Sequence, residues 1–258
     1  MKISEKRCVV LDMDGTVYLG NIPIPGAVNF IKENWNRLDF HFLSNNTSKA
    51  PDTYVKKLNG MGIPATLDLI LSPTTPLVDF LKEKHIHTAY IVGNSDFCRD
   101  LASRMPELRQ QEEGAQAVIL AYDTELTYEK LARSAVLLEN HPEILFLATH
   151  PDKVCPSPEG PLPDVGSMLA LYKVATGREP QFIFGKPDPA VLEPLLKKYR
   201  KEEMVMAGDR LSTDKKLAEN AGIDFILVLS GEATLEEAKA EAIQPTVIAE
   251  DLGKAWEE

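Results

Sequence analysis

Four short clusters in the 258 residues carry side chains able to do chemistry together. The first is Asp12-Met13-Asp14-Gly15-Thr16, directly after the apolar run Cys8–Leu11. Two carboxylates two residues apart on a continuing strand face the same side. The carboxyl end of a parallel strand is where α/β sheets bind ligands. Gly15 lets the chain turn sharply and brings backbone N–H groups close to an anion. Ser44-Asn45-Asn46-Thr47-Ser48 follows the run Phe40–Leu43, and its hydroxyls and amides can hold phosphate oxygens. Gly185-Lys186-Pro187 follows Phe182–Phe184 and places a cation at a strand's end. Asp209 and Asp214, in Gly208-Asp209-Arg210-Leu211-Ser212-Thr213-Asp214, follow Met204–Ala207. Each cluster alone has a plainer reading: an Asx-turn, a polar helix cap, a solvated lysine, an acidic helix N-terminus. In combination, carboxylates in oxygen-rich surroundings suit Mg²⁺, and a lysine and a hydroxyl beside them suit a phosphoryl group.

Short apolar runs position these clusters. Further candidate strands are Leu67–Leu71, Ala89–Val92, Ala117–Ala121, Ile144–Ala148, Phe225–Leu229 and Thr246–Ile248. Helical patterns lie between strands, at Ala27–Leu38, Thr74–Lys84, Ser95–Met105, Thr127–Glu139 and Leu211–Ala221, the last ending at Gly222 as a left-handed cap. Alternating β and α predicts a parallel sheet covered on both faces. Pro151 to Pro163 is too rich in proline for a helix or central strand and is expected to be an irregular loop. Cys8, Trp35 and Trp256 read as packing residues, His85 and His87 as exposed, and Arg210 as either a surface charge or a substrate neighbour.

Composition narrows the class. Hydrophobic residues make up 44% and charged residues 26%, as in an ordinary globular protein. Lys+Arg 28 against Asp+Glu 39 gives a net charge of -11, which disfavours nucleic acid and anionic lipid as partners. An anionic substrate would then need local positive charge. Cys8, Cys98 and Cys155 form no zinc or redox spacing, and no apolar run approaches the length of a membrane span. A cytoplasmic location without membrane association is expected.

Asp12-Met13-Asp14-Gly15-Thr16, Ser44, Lys186 and Gly208-Asp209 with Asp214 resemble the four motifs of the haloacid dehalogenase (HAD) superfamily. The segment between Ser44 and Lys186 is similar to the cap of its subfamily IIA, the NagD-like and 4-nitrophenylphosphatase-like enzymes. Supporting strings are Gly20-Asn21-Ile22-Pro23-Ile24-Pro25-Gly26, Ala148-Thr149-His150-Pro151-Asp152 and Thr176-Gly177-Arg178. The resemblance implies a doubly wound, parallel-sheet, Rossmann-like α/β core over residues 1–78 and 180–258, with an inserted α/β cap domain of the subfamily IIA type over residues 79–179. It implies that Asp12 is the nucleophile and forms an aspartyl-phosphate, and that Asp14 protonates the leaving oxygen and then activates water. Ser44, with Asn45 beside it, and Lys186 would bind the phosphoryl group. Mg²⁺ would be held by Asp12, the Asp14 backbone carbonyl and Asp209, with Asp214 supporting its water shell or fixing Lys186.

The implied activity is Mg²⁺-dependent hydrolysis of small phosphate monoesters such as sugar phosphates or nucleotides, by a monomer or homodimer. A phosphotransferase or mutase would share every motif. A halide-removing relative would not need Asp14, and a receiver-like phosphate-binding module would not need the long insertion. Core motifs touch only the phosphoryl group, so leaving-group choice is expected from the His150–Gly160 segment, with His150, Asp152 and Lys153 offering hydrogen bonds and charge.

Overall fold

A computed structural model of the chain describes residues 3–157 and 159–256. Pro158, part of the proline-rich segment, and the outermost residues of the expected core limits, 1–2 and 257–258, lie outside the described residues. The described chain divides into two compact units, one drawn from Met1–Ser44, Asp52–Leu71 and Lys186–Glu258, the other from Asn45–Pro51 and Ser72–Gly185.

The first unit is built on a six-stranded sheet in the order Val247–Ala249, Asp224–Val228, Met204–Gly208, Cys8–Asp12, Asp39–Leu43, Ile70–Leu71. Every pairing in it is parallel. Its strands read as unbroken apolar runs because both faces are covered. Val9 and Leu11 pack into one core with Phe40, Phe42, Val205, Ala207 and Ile226, whereas Cys8 and Val10 face a second core with Met204, Met206, Phe225 and Leu227. That alternation of faces along one strand is the doubly wound arrangement. The register sets Leu11 opposite Ala207 and Asp12 opposite Leu43, so the functional clusters following these strands emerge at one sheet edge.

The second unit has a five-stranded parallel sheet in the order Phe182–Ile183, Leu145–Ala148, Ala117–Leu120, Thr88–Val92, Arg109–Gln110. Its two faces also carry separate cores, one with Ile91, Ile119 and Leu147, the other with Val118, Leu120 and Phe146. This unit reaches beyond residues 79–179 on both sides. Leu77 and Val78, in the helix Thr74–Glu83, pack in its core, and Phe182 pairs with Leu147 of its sheet.

Three expectations change. Lys186 does not follow a strand of the Asp12 sheet, because the preceding strand belongs to the second unit's sheet. A three-residue apolar run cannot say which sheet it joins. The proline-rich segment is not wholly irregular: Val154–Cys155 and Leu162–Pro163 form a short antiparallel ribbon, a two-stranded setting that tolerates proline. Of Leu67–Leu71, only Ile70–Leu71 is strand, and Leu67–Leu69 is a 3₁₀ turn with Asp68 exposed. No helix among the described residues is long and apolar enough to cross a membrane.

Candidate active site

Asp12 closes the central strand of the first unit, and the chain then turns tightly, with Val17 N–H donating to the Met13 carbonyl at 2.9 Å and Gly15 N–H to the Tyr18 carbonyl at 2.7 Å. Gly15 has φ +92°, and a Cβ there would run into the Asp209 carboxylate. A Cβ at Gly231 would strike the same carboxylate, and one at Gly208 would strike Asp214. The acids are thus packed against bare backbone, which is why three glycines surround them.

Lys186 joins the acids. Its ammonium donates to the Asp12 carboxylate and to Asp214 Oδ1, the latter at 2.6 Å. Asp214 sits in a π-helical turn, Leu211–Lys215, that precedes the helix Lys216–Ala221 rather than in an ordinary first helical turn, and Arg210 N–H donates to its other oxygen at 3.1 Å. Such turns are frequent at functional sites. Asp12, Lys186, Asp209 and Asp214 are all buried, the last of them completely.

Negative charge is in excess here, with three carboxylates against one ammonium. Burial raises Asp12, Lys186 pulls it back, and repulsion from Asp214 and Asp209 leaves it well above the usual carboxylate range. Burial, then repulsion from Asp214, pushes Asp209 up to about 6. For Lys186, burial alone would lower the ammonium, but attraction to Asp12 and Asp214 outweighs it and keeps the side chain charged.

The residues fit a hard divalent cation. One carboxylate oxygen from each of Asp12, Asp209 and Asp214 lies within 4.8 Å of the others. Asp209 Oδ2 accepts from Glu232 N–H at 2.8 Å, but its buried Oδ1 has no hydrogen-bond partner among the described residues. An orphaned buried carboxylate oxygen beside two further carboxylates is costly without a cation to accept it.

Ser44 follows the strand that pairs with Asp12's strand, and its hydroxyl donates to Tyr54 Oη at 3.4 Å. Asp14 is exposed and accepts from Gly20 N–H at 3.0 Å. Arg210 is paired with Glu232 at 3.0 Å.

The remaining sequence candidates lie in the second unit. Asn45 donates its amide to both oxygens of Asp152, at 3.2 and 3.3 Å. His150 is a correction. It is fully buried, with Nδ1 paired to Thr149 Oγ1 and Nε2 to Asp164 Oδ1, both at 3.0 Å, so neither ring nitrogen is left for a substrate. Its ring instead braces the end of the Leu145–Ala148 strand against the start of the helix Val165–Thr176, which Asp164 caps. Asp152 is half-buried and Lys153 exposed.

The family model for haloacid dehalogenase-like hydrolases matches residues 9–104, and a HAD-hydrolase-like model matches residues 183–255. The acid sugar phosphatase of Staphylococcus epidermidis is 32% identical over 253 residues, covering 96% of each chain. The chain belongs to the haloacid dehalogenase-like hydrolase family. Within the family its fold is close to that of 4-nitrophenylphosphatase from Thermotoga maritima, with a TM-score of 0.92 and 36% identity over 99% of this chain and 98% of that one. A glycerol phosphate phosphatase from Mycobacterium tuberculosis in complex with magnesium gives a TM-score of 0.89 and 29% identity, covering 100% of this chain and 80% of that one. These likenesses place the chain in subfamily IIA.

Several residues that these contacts bring forward were not legible in the sequence. Tyr54 and Lys57 sit on the helix Pro51–Gly60, far along the chain from Asp14, and nothing local links them to it. Asp164 had a signal, an aspartate just before an apolar helical pattern, which the surrounding prolines obscured.

Proposed function

We propose that this chain is a Mg²⁺-dependent phosphatase that hydrolyses small phosphate monoesters through an aspartyl-phosphate on Asp12. The observation that carries this reading is Lys186 bonded to both Asp12 and Asp214, beside Asp209 with its unpartnered oxygen. A carboxylate hydrogen-bonded to a buried ammonium at a strand's end is a placed nucleophile.

Asp12 attacks phosphorus, forming an O–P bond as the bond to the leaving oxygen breaks. Asp14 gives that oxygen its proton. The Asp14 carboxylate then takes a proton from water, whose oxygen attacks phosphorus and frees phosphate and Asp12. Ser44 and Lys186 hold phosphoryl oxygens, and Asp214 keeps Lys186 in place. Asp12, the Asp14 backbone carbonyl and Asp209 would hold Mg²⁺, which would offset the repulsion between an anionic nucleophile and an anionic ester.

The relatives are named for sugar phosphate, nitrophenyl phosphate and glycerol phosphate, and small monoesters are what these share. Cys8, Cys98 and Cys155, with no zinc or redox spacing among them, fit a reducing compartment such as the cytoplasm. The test is a panel of phosphorylated sugars, polyols and nucleotides assayed for inorganic phosphate. Release should vanish on exhaustive chelation and return with Mg²⁺. Full turnover in metal-free protein would remove Asp209 as a ligand, and transfer to a sugar hydroxyl in place of phosphate release would make the chain a phosphotransferase.

Leaving-group selection is assigned to the His150–Gly160 segment, through Asp152 and Lys153, since the ring nitrogens of His150 are already bound. Asp152→Ala with Lys153→Ala should lower kcat/KM for the preferred metabolite by about tenfold, roughly 1.4 kcal/mol. Turnover of 4-nitrophenyl phosphate should change less. Equal losses on both substrates would show that this segment does not choose the leaving group.

A further inference from the structure

Asp14 has a neighbour that the motif does not contain. After the Asp12–Thr16 turn, the chain forms a short hairpin, Tyr18–Leu19 with Ile22–Pro23, and Gly20 sits at its tip with φ +57°. Gly20 is held at both ends. Its N–H donates to Asp14 Oδ1 at 3.0 Å, and its carbonyl accepts from Lys57 Nζ at 2.5 Å. The same ammonium lies 3.4 Å from the centre of the buried Tyr18 ring. Lys57 comes from the separate helix Pro51–Gly60 and is half-buried. Burial pulls its ammonium below the ordinary lysine value, and the charge of Asp14 opposes that pull.

Resting on the phosphatase reading above, we infer that Lys57 is a positioning residue for proton transfer: it clamps Gly20 so that Asp14 is held with one oxygen bound and the other turned to the leaving group. An exposed carboxylate samples several rotamers. A two-stranded ribbon of two-residue strands is marginal alone, and glycine adds backbone freedom at its tip. Nothing within the hairpin fixes the Gly20 peptide. The cation does so by a charge-assisted hydrogen bond, while the face of Tyr18 fixes the cation. Gly20 N–H occupies Oδ1, which leaves Oδ2 to serve as the acid. In the first step a proton on Oδ2 passes to the leaving oxygen as the P–O bond breaks and its electron pair stays on oxygen. Asp14 is left as the carboxylate that next accepts a proton from water.

This role predicts a dependence on the leaving group. A nitrophenolate departs without a proton, whereas an alkoxide from glycerol phosphate must be protonated as it leaves. kcat/KM covers every step through leaving-group departure, so it reports on the acid whichever later step is slow. The experiment compares wild type, Lys57→Met and Lys57→Arg on glycerol phosphate and 4-nitrophenyl phosphate with Mg²⁺. Lys57→Met should lower kcat/KM for glycerol phosphate by at least about tenfold and for 4-nitrophenyl phosphate by less than about threefold, a fraction of what a general acid contributes. Lys57→Arg, which keeps a cation, should recover most of the loss. Equal losses on both esters would mean that Lys57 touches the phosphoryl group or merely supports the fold, and would overturn the inference. Unchanged kcat/KM on both would overturn it too. A wild-type protein that frees phosphate from neither ester would overturn the phosphatase reading itself, and the role of Lys57 with it.

Discussion

Asp12→Asn should lower phosphate release by at least about a thousandfold and leave the protein folded. The side chains are nearly the same size, so the strand end and its packing are kept. The amide cannot attack phosphorus as a carboxylate does, and Asp214, which shares Lys186, is already spent on that ammonium and on Arg210 N–H. Stability should be maintained, because the substitution removes one negative charge from a buried cluster that has too many. Lys186 keeps its bond to Asp214 at 2.6 Å. Thermal melts and phosphate release measured on one preparation check both halves. A variant that melts with wild type yet retains more than about a tenth of its activity would exclude covalent catalysis by Asp12.

The proposed nucleophile, the lysine and both distal acids were readable from the sequence because each lies in a short string at the end of an apolar run. Strings of that kind survive without knowledge of the tertiary fold. The two-face core was readable for a related reason: Cys8–Leu11 and Met204–Ala207 are unbroken apolar runs, which only a sheet covered on both sides can bury. Legibility failed where the decisive fact was a long-range pairing. Phe182–Phe184 looks like any buried strand, and only its pairing with Leu147 and Ala148 assigns it to the second sheet. His150 in a string with Pro151 and Asp152 reads as a polar group on a loop. Its partners, Thr149 and Asp164, turn it into a buried brace, and Asp164 is 14 residues away. Lys57 is the clearest instance: on its helix it reads as one more solvated lysine, and the Gly20 carbonyl it binds is 37 residues earlier. In each case the residue type was visible, but the geometry that gives it a task was not.

Lys186→Met should abolish activity and also destabilise the protein, in a manner that depends on pH. Methionine retains the apolar stem and removes the ammonium, so Asp12, Asp209 and Asp214 face one another without a cation. Removing one partner of a buried ion pair costs about 3–5 kcal/mol when the other charge must stay. Carboxylates can escape that cost by taking up protons, and this sets the sign. Burial already raises Asp12 well above its ordinary range and Asp209 to about 6 in the intact cluster. A carboxyl whose folded pKa lies above its unfolded value of about 4 contributes stability that is complete below that value and is lost as pH rises through the folded pKa. For Asp209 of wild type the loss falls between about pH 4 and pH 6. Without Lys186, which opposes the rise at both Asp12 and Asp209, the window moves upward. The deficit of the variant should therefore be largest at about pH 8 and shrink steadily toward pH 5, where protonation replaces the lost ammonium. Mg²⁺ at pH 8 should recover part of the stability by neutralising the same carboxylates, yet it should not recover turnover, because nothing then holds Asp12 and the phosphoryl oxygens in register. Denaturant titrations of metal-free and Mg²⁺-loaded protein at several pH values would measure these differences. A deficit that stays constant across that range, or a variant as stable as wild type at pH 8, would mean that Lys186 does not neutralise the buried carboxylates.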